Sequence, residues 1–276
     1  MSVFFIFINS IILLFEILFV YLHCKYFVYF KIMTDNFTFN IINGDCLEEM
    51  KKIPDKSVDL ILTDPPYIIS RETNFNKGGG DEAKYGSISM DFGEWDKEPL
   101  NFDILMEEWH RILKDGGTLI IFYDIFKMQE IYGLSSKYKF KQPRIGIWDK
   151  TNTVPINAKI NYLSNCREYF ISFCKGKKAT FNSYYDKGFY QYPIVGGKER
   201  TIHPTQKPLQ LMEDLIKVNS NEGDVVLDCF MGSGTTGVAA VKNNRNFIGI
   251  EIDSVYFDIA KERINKENEE HNGNKN

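Results

Sequence analysis

The sequence predicts an α/β protein built on a mainly parallel, doubly wound sheet. Short apolar runs of buried-strand length alternate with segments of helical spacing. Two of those runs end in loops rich in Pro or Gly, at the sheet edge where α/β folds hold ligands. The 276 residues, 43% of them hydrophobic, supply enough apolar side chain for one sizeable core.

The elements follow in order from Phe37. "FNIINGDC" reads as a short strand ending in a turn, and "CLEEMKKI" as one or two helical turns. "SVDLILTD" is an apolar run of strand length. Ser70 to Asp96, with "NKGGGDEAKYG", is polar and glycine-bearing and is predicted to be a long mobile loop. "NFDILMEEWHRIL" has helical spacing, "KDGG" reads as a stop, and "TLIIFY" as the next strand. The next clear unit comes late: "LQLMEDLIKVNS" as helix, "DVVLDCF" as strand, "TTGVAAVKNN" as helix and "NFIGIEI" as strand. From Asp253 the tail is helical through "YFDIAKERINKE", then polar and frayed.

Residues 1–32 stand apart from this pattern. "VFFIFINSIILLFEILFVYL" is long enough to span a bilayer, although Asn9, Ser10 and Glu16 interrupt it. It lacks the basic start and small-residue cleavage site of a signal peptide. Met33 opens "MTDNFTFNIINGDC", which reads as the start of a soluble domain. The expectation is therefore an apolar extension translated from an upstream start, followed by one domain over 33–276. The rival is a membrane anchor; Lys25 and Lys31 after the apolar run would still leave the remainder in the cytoplasm.

The net charge of −4 is unevenly spread, with fourteen Lys/Arg against four Asp/Glu between Lys137 and Lys207. Interleaved with aromatics such as Trp148, Tyr184 and Tyr185, this stretch suits either a solvated face or a footprint for phosphates. The five cysteines (Cys24, Cys46, Cys166, Cys174, Cys229) form no CxxC pair, which points to free thiols in a reducing compartment. His23, His110, His203 and His271 lack ligand spacing, so no metal site is expected.

Two loops can do chemistry. "DVVLDCFMGSGTTGVAA" places Gly232, Gly234 and Gly237 between a strand and a helix, where backbone can approach a ligand. Glu251 ends the following strand, in position to accept hydrogen bonds from ribose hydroxyls. A dinucleotide and S-adenosylmethionine compete for this loop, with a plain glycine-rich turn as the simpler alternative. Asp228, just before the loop, would repel a pyrophosphate but attract the methionine ammonium, directly or through water, and so favours the sulfonium cofactor. The second loop, Asp64-Pro65-Pro66-Tyr67, also follows an apolar strand. Two prolines hold a rigid turn whose carbonyl can face a cleft. That carbonyl and the Asp64 carboxylate would bind the two hydrogens of an exocyclic amine, and Tyr67 would stack on the ring carrying it.

The ordered set "DPPY", "DCFMGSGTTG" and "HPTQKP" (His203 to Pro208) resembles the amino-methylating DNA methyltransferases, in the chain order of their β group. The resemblance covers most of Phe37 to Lys266. It implies a Rossmann-like methyltransferase sheet, S-adenosylmethionine as cofactor and double-stranded DNA as partner; it also admits a cognate restriction endonuclease and a homodimer. It further implies that Asp45 in "NGDCLEEM" lies near the cofactor adenine, that Phe230 lines its pocket, that Glu251 holds the ribose and that Lys207 meets the methionine carboxylate. Aspartate at the head of the tetrapeptide points to adenine N6, with cytosine N4 as the alternative. One departure is the short target-recognition region, about 29 residues over Cys174 to Ile202. Recognition is then short, or shared with the Ser70–Asp96 loop and a second subunit. The implied chemistry flips the nucleotide and needs no covalent enzyme intermediate, which leaves Cys46 and Cys229 as packing residues. A nicotinamide-dependent oxidoreductase leaves "DPPY" and Asp228 unexplained; a non-enzymatic DNA-binding or membrane-associated module would bind without methyl transfer.

Overall fold

The computed structural model describes residues 39–67, 100–153, 166–176 and 178–273. The apolar segment 1–32 and the Ser70–Asp96 loop lie outside the described residues. Strands β1 (Phe39–Asn43), β2 (Val58–Thr63), β3 (Leu113–Tyr123), β4 (Phe140–Lys150), β5 (Arg167–Lys175), β6 (Phe189–Tyr192), β7 (Val225–Asp228) and β8 (Asn246–Glu251) form one sheet in the order β1-β8-β7-β2-β3-β5-β4-β6. The β3–β5 and β5–β4 pairs are antiparallel, and the other neighbouring pairs are parallel. The expected mainly parallel α/β sheet is therefore present.

Helices α1 (Cys46–Met50), α2 (Phe102–Ile112) and α3 (Met128–Lys137) cover one face; α4 (Leu209–Asn219), α5 (Thr235–Lys242) and α6 (Ser254–Gly273) cover the other. Strand periodicity sorts side chains between these layers. On β2, Ile61 faces the first helix group while Leu60 and Leu62 face the second; on β3, Leu119 and Ile121 oppose Ile120 and Phe122 in the same way. Both faces are covered, which explains why these runs read as continuous apolar stretches. From β7 the chain crosses through α5 to β8 on one side, and from β2 through α2 to β3 on the other. The order thus reverses between β7 and β2, and such a switch point opens a crevice at the carboxyl ends of the strands.

The "KDGG" stop is corrected. Strand β3 begins at Leu113, directly after α2, and runs through those residues. Leu113 is fully buried and pairs with Val58, whereas the next pair is Leu60 with Thr118, so the turn-like residues are absorbed as a bulge. Lys114 in that bulge is tied to Asp59 at 2.7 Å. The charged middle, which showed no clear element in the sequence, contains β4, β5 and β6, and α3 leads into it. The last helix also outruns its expected length and reaches Gly273.

The candidate recognition segment 174–202 carries the end of β5, the short β6 and a 3₁₀ turn at Gly197–Glu199. Asn182 clips it to the end of α4, donating from its side chain to the carbonyls of Lys217 (3.1 Å) and Ser220 (2.7 Å). Tyr184 and Tyr185 project into solvent. Cys46, Cys166, Cys174 and Cys229 are free thiols. Among the described residues no helix is long and apolar enough to cross a membrane.

Trp109 on α2 is wholly enclosed, and its indole N–H donates to Cys229 Sγ at 3.3 Å, joining the helix layer to the end of β7. Replacing Trp109 with Ala should cost about 3–5 kcal/mol of stability, read from urea denaturation.

Candidate active site

The crevice is built at strand ends. Thr63, the last residue of β2, donates its hydroxyl to Asp228 Oδ1 at 2.9 Å, across to the last residue of β7. The Thr236 hydroxyl donates to Asp228 Oδ2 at 2.6 Å and the Phe230 amide to Oδ1 at 3.1 Å. One buried carboxylate therefore joins β2, β7, the glycine loop and the first turn of α5. Burial pushes the Asp228 carboxyl up to about 6, and the hydroxyl donors hold it from rising further.

Beyond β7 the contacts continue in both directions. The Gly232 amide donates to Glu251 Oε2 at 2.7 Å and the Asp253 amide to Oε1 at 2.8 Å, which fixes the carboxylate at the end of β8 beside the loop. The Gly44 amide donates to the Glu251 carbonyl at 2.9 Å, bringing the "NGDC" turn alongside. There Asp45 caps α1, with Oδ1 accepting from the amides of Leu47 (2.9 Å) and Glu48 (3.1 Å). Phe230 packs half-buried against the layer of α1, α2 and α3.

The glycine loop has a conformation that side chains resist. Gly232 and Gly234 have φ of +52° and +77°. A Cβ on Gly232 would stand 2.9 Å from His203 Nε2, and one on Gly234 would stand 2.8 Å from Ala260 Cβ on α6. Arg263, also on α6, donates to the Ser233 carbonyl and to the Thr235 hydroxyl at 3.3 Å. The loop is thus gripped from behind by the last helix. Burial first, then the neighbouring Lys207, pushes the His203 imidazole down to about 4.

On the β2 side, Asp64 heads the Pro-Pro-Tyr turn. Its Oδ1 accepts from the Tyr67 hydroxyl at 2.8 Å, and its Oδ2 accepts from the Lys207 ammonium. Lys207 also pairs with Glu168 Oε2 at 3.1 Å, and Glu168 Oε1 pairs with Lys150 at 2.7 Å. The Lys207 side chain is 5% exposed and its ammonium lies 5.7 Å and 5.2 Å from the ring centres of Tyr67 and Phe122. Burial opposes its charge, but Asp64 and Glu168 outweigh that and hold it up at about 12. Burial also leaves the Asp64 carboxyl above its ordinary range in spite of Lys207. Glu168 stays below its ordinary range because its two lysines overcome desolvation. Lys127 donates to the Tyr67 carbonyl at 2.5 Å, and the Tyr67 ring meets Tyr123 edge-on at 5.4 Å.

The structure therefore brings Asp64, Pro65, Pro66, Tyr67 and Lys207 to one side of the crevice, and Asp228, Phe230, Gly232, Gly234 and Glu251 to the other, with Asp45 at the far end. The "HPTQKP" segment spans both sides, His203 against the glycine loop and Lys207 against Asp64. The sequence reading missed Glu168, Lys150, Thr63, Lys127 and Arg263. Glu168 and Lys150 sit in the basic stretch, where one acid among many bases looks like surface. The remaining three carry no motif.

The chain fits S-adenosylmethionine on the chemistry of these groups. Each Glu251 oxygen accepts one backbone bond, and a carboxylate has about four lone-pair sites, which leaves acceptors for a pair of hydroxyls. The positive-φ loop leaves Gly232 and Gly234 without side chains beside that carboxylate. A second, polar depression of about 430 Å³ opens at the other end of the strands, beside Gly116 and Thr180. Its charged pair Asp59–Lys114 is already satisfied.

Comparison with known proteins is consistent across sequence and structure. Residues 58–262 match the family described as DNA methylase. The chain is 34% identical over 254 residues to the Type II methyltransferase M.HinfI of Haemophilus influenzae, covering 83% of this chain and 69% of that protein. It is 34% identical over 256 residues to the Type II methyltransferase M2.MboI of Moraxella bovis, covering 84% and 90%. The crystal structure of the M1.HpyAVI–SAM complex aligns with TM-score 0.63 at 29% identity, over 83% of this chain and all of that one (100%). The PvuII cytosine-N4-specific DNA methyltransferase aligns with TM-score 0.63 at 18% identity, over 85% of this chain and 92% of that one, a likeness of fold.

A titration follows from the buried carboxylate. With Asp228 held at about 6 in the native chain and near 4 when unfolded, the native state binds the proton more tightly between those values. Asp228 therefore contributes more stability as pH falls through 6. His203 pulls the opposite way and cancels in a comparison with Asp228→Asn. The stability difference, read by urea denaturation, should shift toward the wild type between pH 7 and pH 4.5.

Proposed function

The chain belongs to the DNA methylase family, and from that membership we propose that it transfers a methyl group from S-adenosylmethionine to the exocyclic N6 amine of adenine in double-stranded DNA. The observation that carries this reading is the placement of a proline-rigidified carboxylate, Asp64, one residue beyond the Thr63–Asp228 bond that borders the glycine loop. An amine-binding group and a nucleoside-binding loop then share one crevice. When bound, S-adenosylmethionine supplies an electrophilic methyl on a sulfonium centre.

The residues divide the work. Glu251 accepts from the ribose hydroxyls, Asp45 lies toward the adenine end, and Phe230 gives the pocket an apolar wall. The backbone at Gly232 and Gly234 approaches the ligand, while Asp228 acts from beneath by fixing the loop through Thr236 and the Phe230 amide. The target base must leave the duplex to reach Asp64. There the Asp64 carboxylate and the Pro65 carbonyl accept the two amine hydrogens, and Tyr67 stacks on the ring. These bonds pull the nitrogen lone pair out of conjugation and aim it along the transfer direction, a positioning effect worth several kcal/mol. As the nitrogen–methyl bond formed and the bond from methyl to sulfonium sulfur broke, the amine would shed a proton, with Asp64 as the adjacent base. Its carboxyl, raised by burial, is better suited to that task than an exposed one.

Residues 33–276 form the methyltransferase domain in this reading, with 174–202 as its short recognition region and exposed Tyr184 and Tyr185 available to DNA. Residues 1–32 are an extension outside it, and the compartment is the cytoplasm. A companion restriction endonuclease and a homodimer belong to the same reading; light scattering of the purified chain tests the second.

Purified protein given tritiated-methyl S-adenosylmethionine and plasmid DNA should label the DNA, and long-read sequencing should place the mark on adenine. A mark on cytosine would instead favour the N4 alternative. Asp64→Ala should lower the rate by about 10²–10⁴-fold with calorimetric affinity for S-adenosylhomocysteine nearly unchanged. Full activity in that variant would overturn the assignment.

A further inference from the structure

Both oxygens of Asp64 are occupied in the structure. Tyr67 takes Oδ1 and the Lys207 ammonium takes Oδ2. Each oxygen keeps a second lone-pair site, but the neutral hydrogens of a target amine would share Asp64 with a charged and stronger donor, the Lys207 ammonium. Tyr67 follows Asp64 on the same short turn and moves with it. Lys207 comes from the distant "HPTQKP" segment and is the contact that can part.

Within the chain, Lys207 can turn only to another protein group. Its side chain is 5% exposed, so its ammonium cannot turn to water, and a buried unpaired ammonium is strongly unfavourable. The aromatic rings of Tyr67 and Phe122 near it give partial compensation. The full countercharge is Glu168, whose Oε2 is 3.1 Å from the same nitrogen. Glu168 is itself fixed. Its β5 position pairs with Trp148 on β4, and its other oxygen is held at 2.7 Å by Lys150, two residues further along β4. The four groups form a chain of alternating sign: Lys150, Glu168, Lys207, Asp64. Because an amine is neutral, its entry leaves the summed charge of the row unchanged; with Lys207 drawn to Glu168, both ammoniums face Glu168 and Asp64 is held by hydrogen bonds from Tyr67 and the amine.

We propose that Glu168 is a positioning residue, which retains the Lys207 ammonium so that the Asp64 carboxylate can turn to the target amine without leaving that ammonium unpaired. The proposal rests on the methyltransferase reading above. Glu168 touches neither the base nor the cofactor in this scheme; it acts on Asp64 through Lys207. Without it, Lys207 has Asp64 as its one remaining carboxylate among these four groups and competes directly with the amine.

The test is a double-mutant cycle on the full chain, read as the single-turnover rate of tritium transfer from S-adenosylmethionine to plasmid DNA. Glu168→Gln should slow transfer by about tenfold or more, with calorimetric affinity for S-adenosylhomocysteine within about twofold of the wild type. In a Lys207→Gln background the same Glu168 substitution should cost less than about twofold, because the ammonium it manages is gone. An unchanged rate in Glu168→Gln overturns the proposal, and so does an equal cost in both backgrounds. Should Glu168→Gln melt below the assay temperature, Glu168→Asp, which keeps the charge but withdraws it by one methylene, carries the same two expectations. A wild-type chain that binds S-adenosylhomocysteine yet labels no DNA would strike at the methyltransferase reading itself, a result distinct from either.

Discussion

The Asp228 carboxylate is the contact on which the site depends. It ends β7, accepts the Thr63 hydroxyl from β2 and the Thr236 hydroxyl from α5, and fixes the Phe230 amide between them. The topology supplies a crevice between β7 and β2, but topology alone sets strand spacing only. This carboxylate ties the turn carrying Asp64 to the loop carrying Gly232. Three donors converge on a group that water hardly reaches, so each bond gains strength from the low local dielectric, and losing any of them would leave a buried polar atom unmatched.

Around that point the protein separates charge by function. At the end of β8, Glu251 accepts from the Gly232 and Asp253 amides and pairs with no cation, so lone-pair sites remain on both oxygens. Beyond the end of β2, Asp64 lies in a compensated row of two acids and two lysines. An isolated carboxylate so deeply placed would take up a proton and cease to accept. Lys207 counters that by pairing with one of its oxygens. In the proposed scheme, charge compensation and amine access meet at that oxygen, and Glu168 is the group that shares the ammonium.

Much of this was legible in the sequence, for particular reasons. The strands β2, β7 and β8 are buried on both faces, so their apolar runs are unbroken, and the loops after β2 and β7 carry Pro and Gly in patterns that few other constraints produce. The core helices α2, α4 and α5 are amphipathic or apolar enough to declare themselves. What escaped was decided by pairing. Strand β4 alternates buried Phe140, Ile147-flanking Gly146 and Trp148 with exposed Lys141 and Arg144, so its pattern is diluted by charge. "KDGG" carries every local mark of a turn, yet the burial of Leu113 beside Val58 draws it into a strand. Glu168 looked like one acid in a basic stretch, since nothing local says that two lysines, one of them 39 positions further on, will converge on it. Lys207 was expected at a ligand's carboxylate, and its pairing with Asp64 needed the fold to bring 143 positions of chain together.

The grip of α6 on the glycine loop has a bearing on how the molecule comes into being. Ala260 fills the space beside Gly234, and Arg263 holds the loop carbonyl at Ser233. The turn with Asp64 leaves the ribosome some two hundred positions before that helix does. A nascent chain therefore carries the Asp64 turn long before the last helix is available to hold the glycine loop.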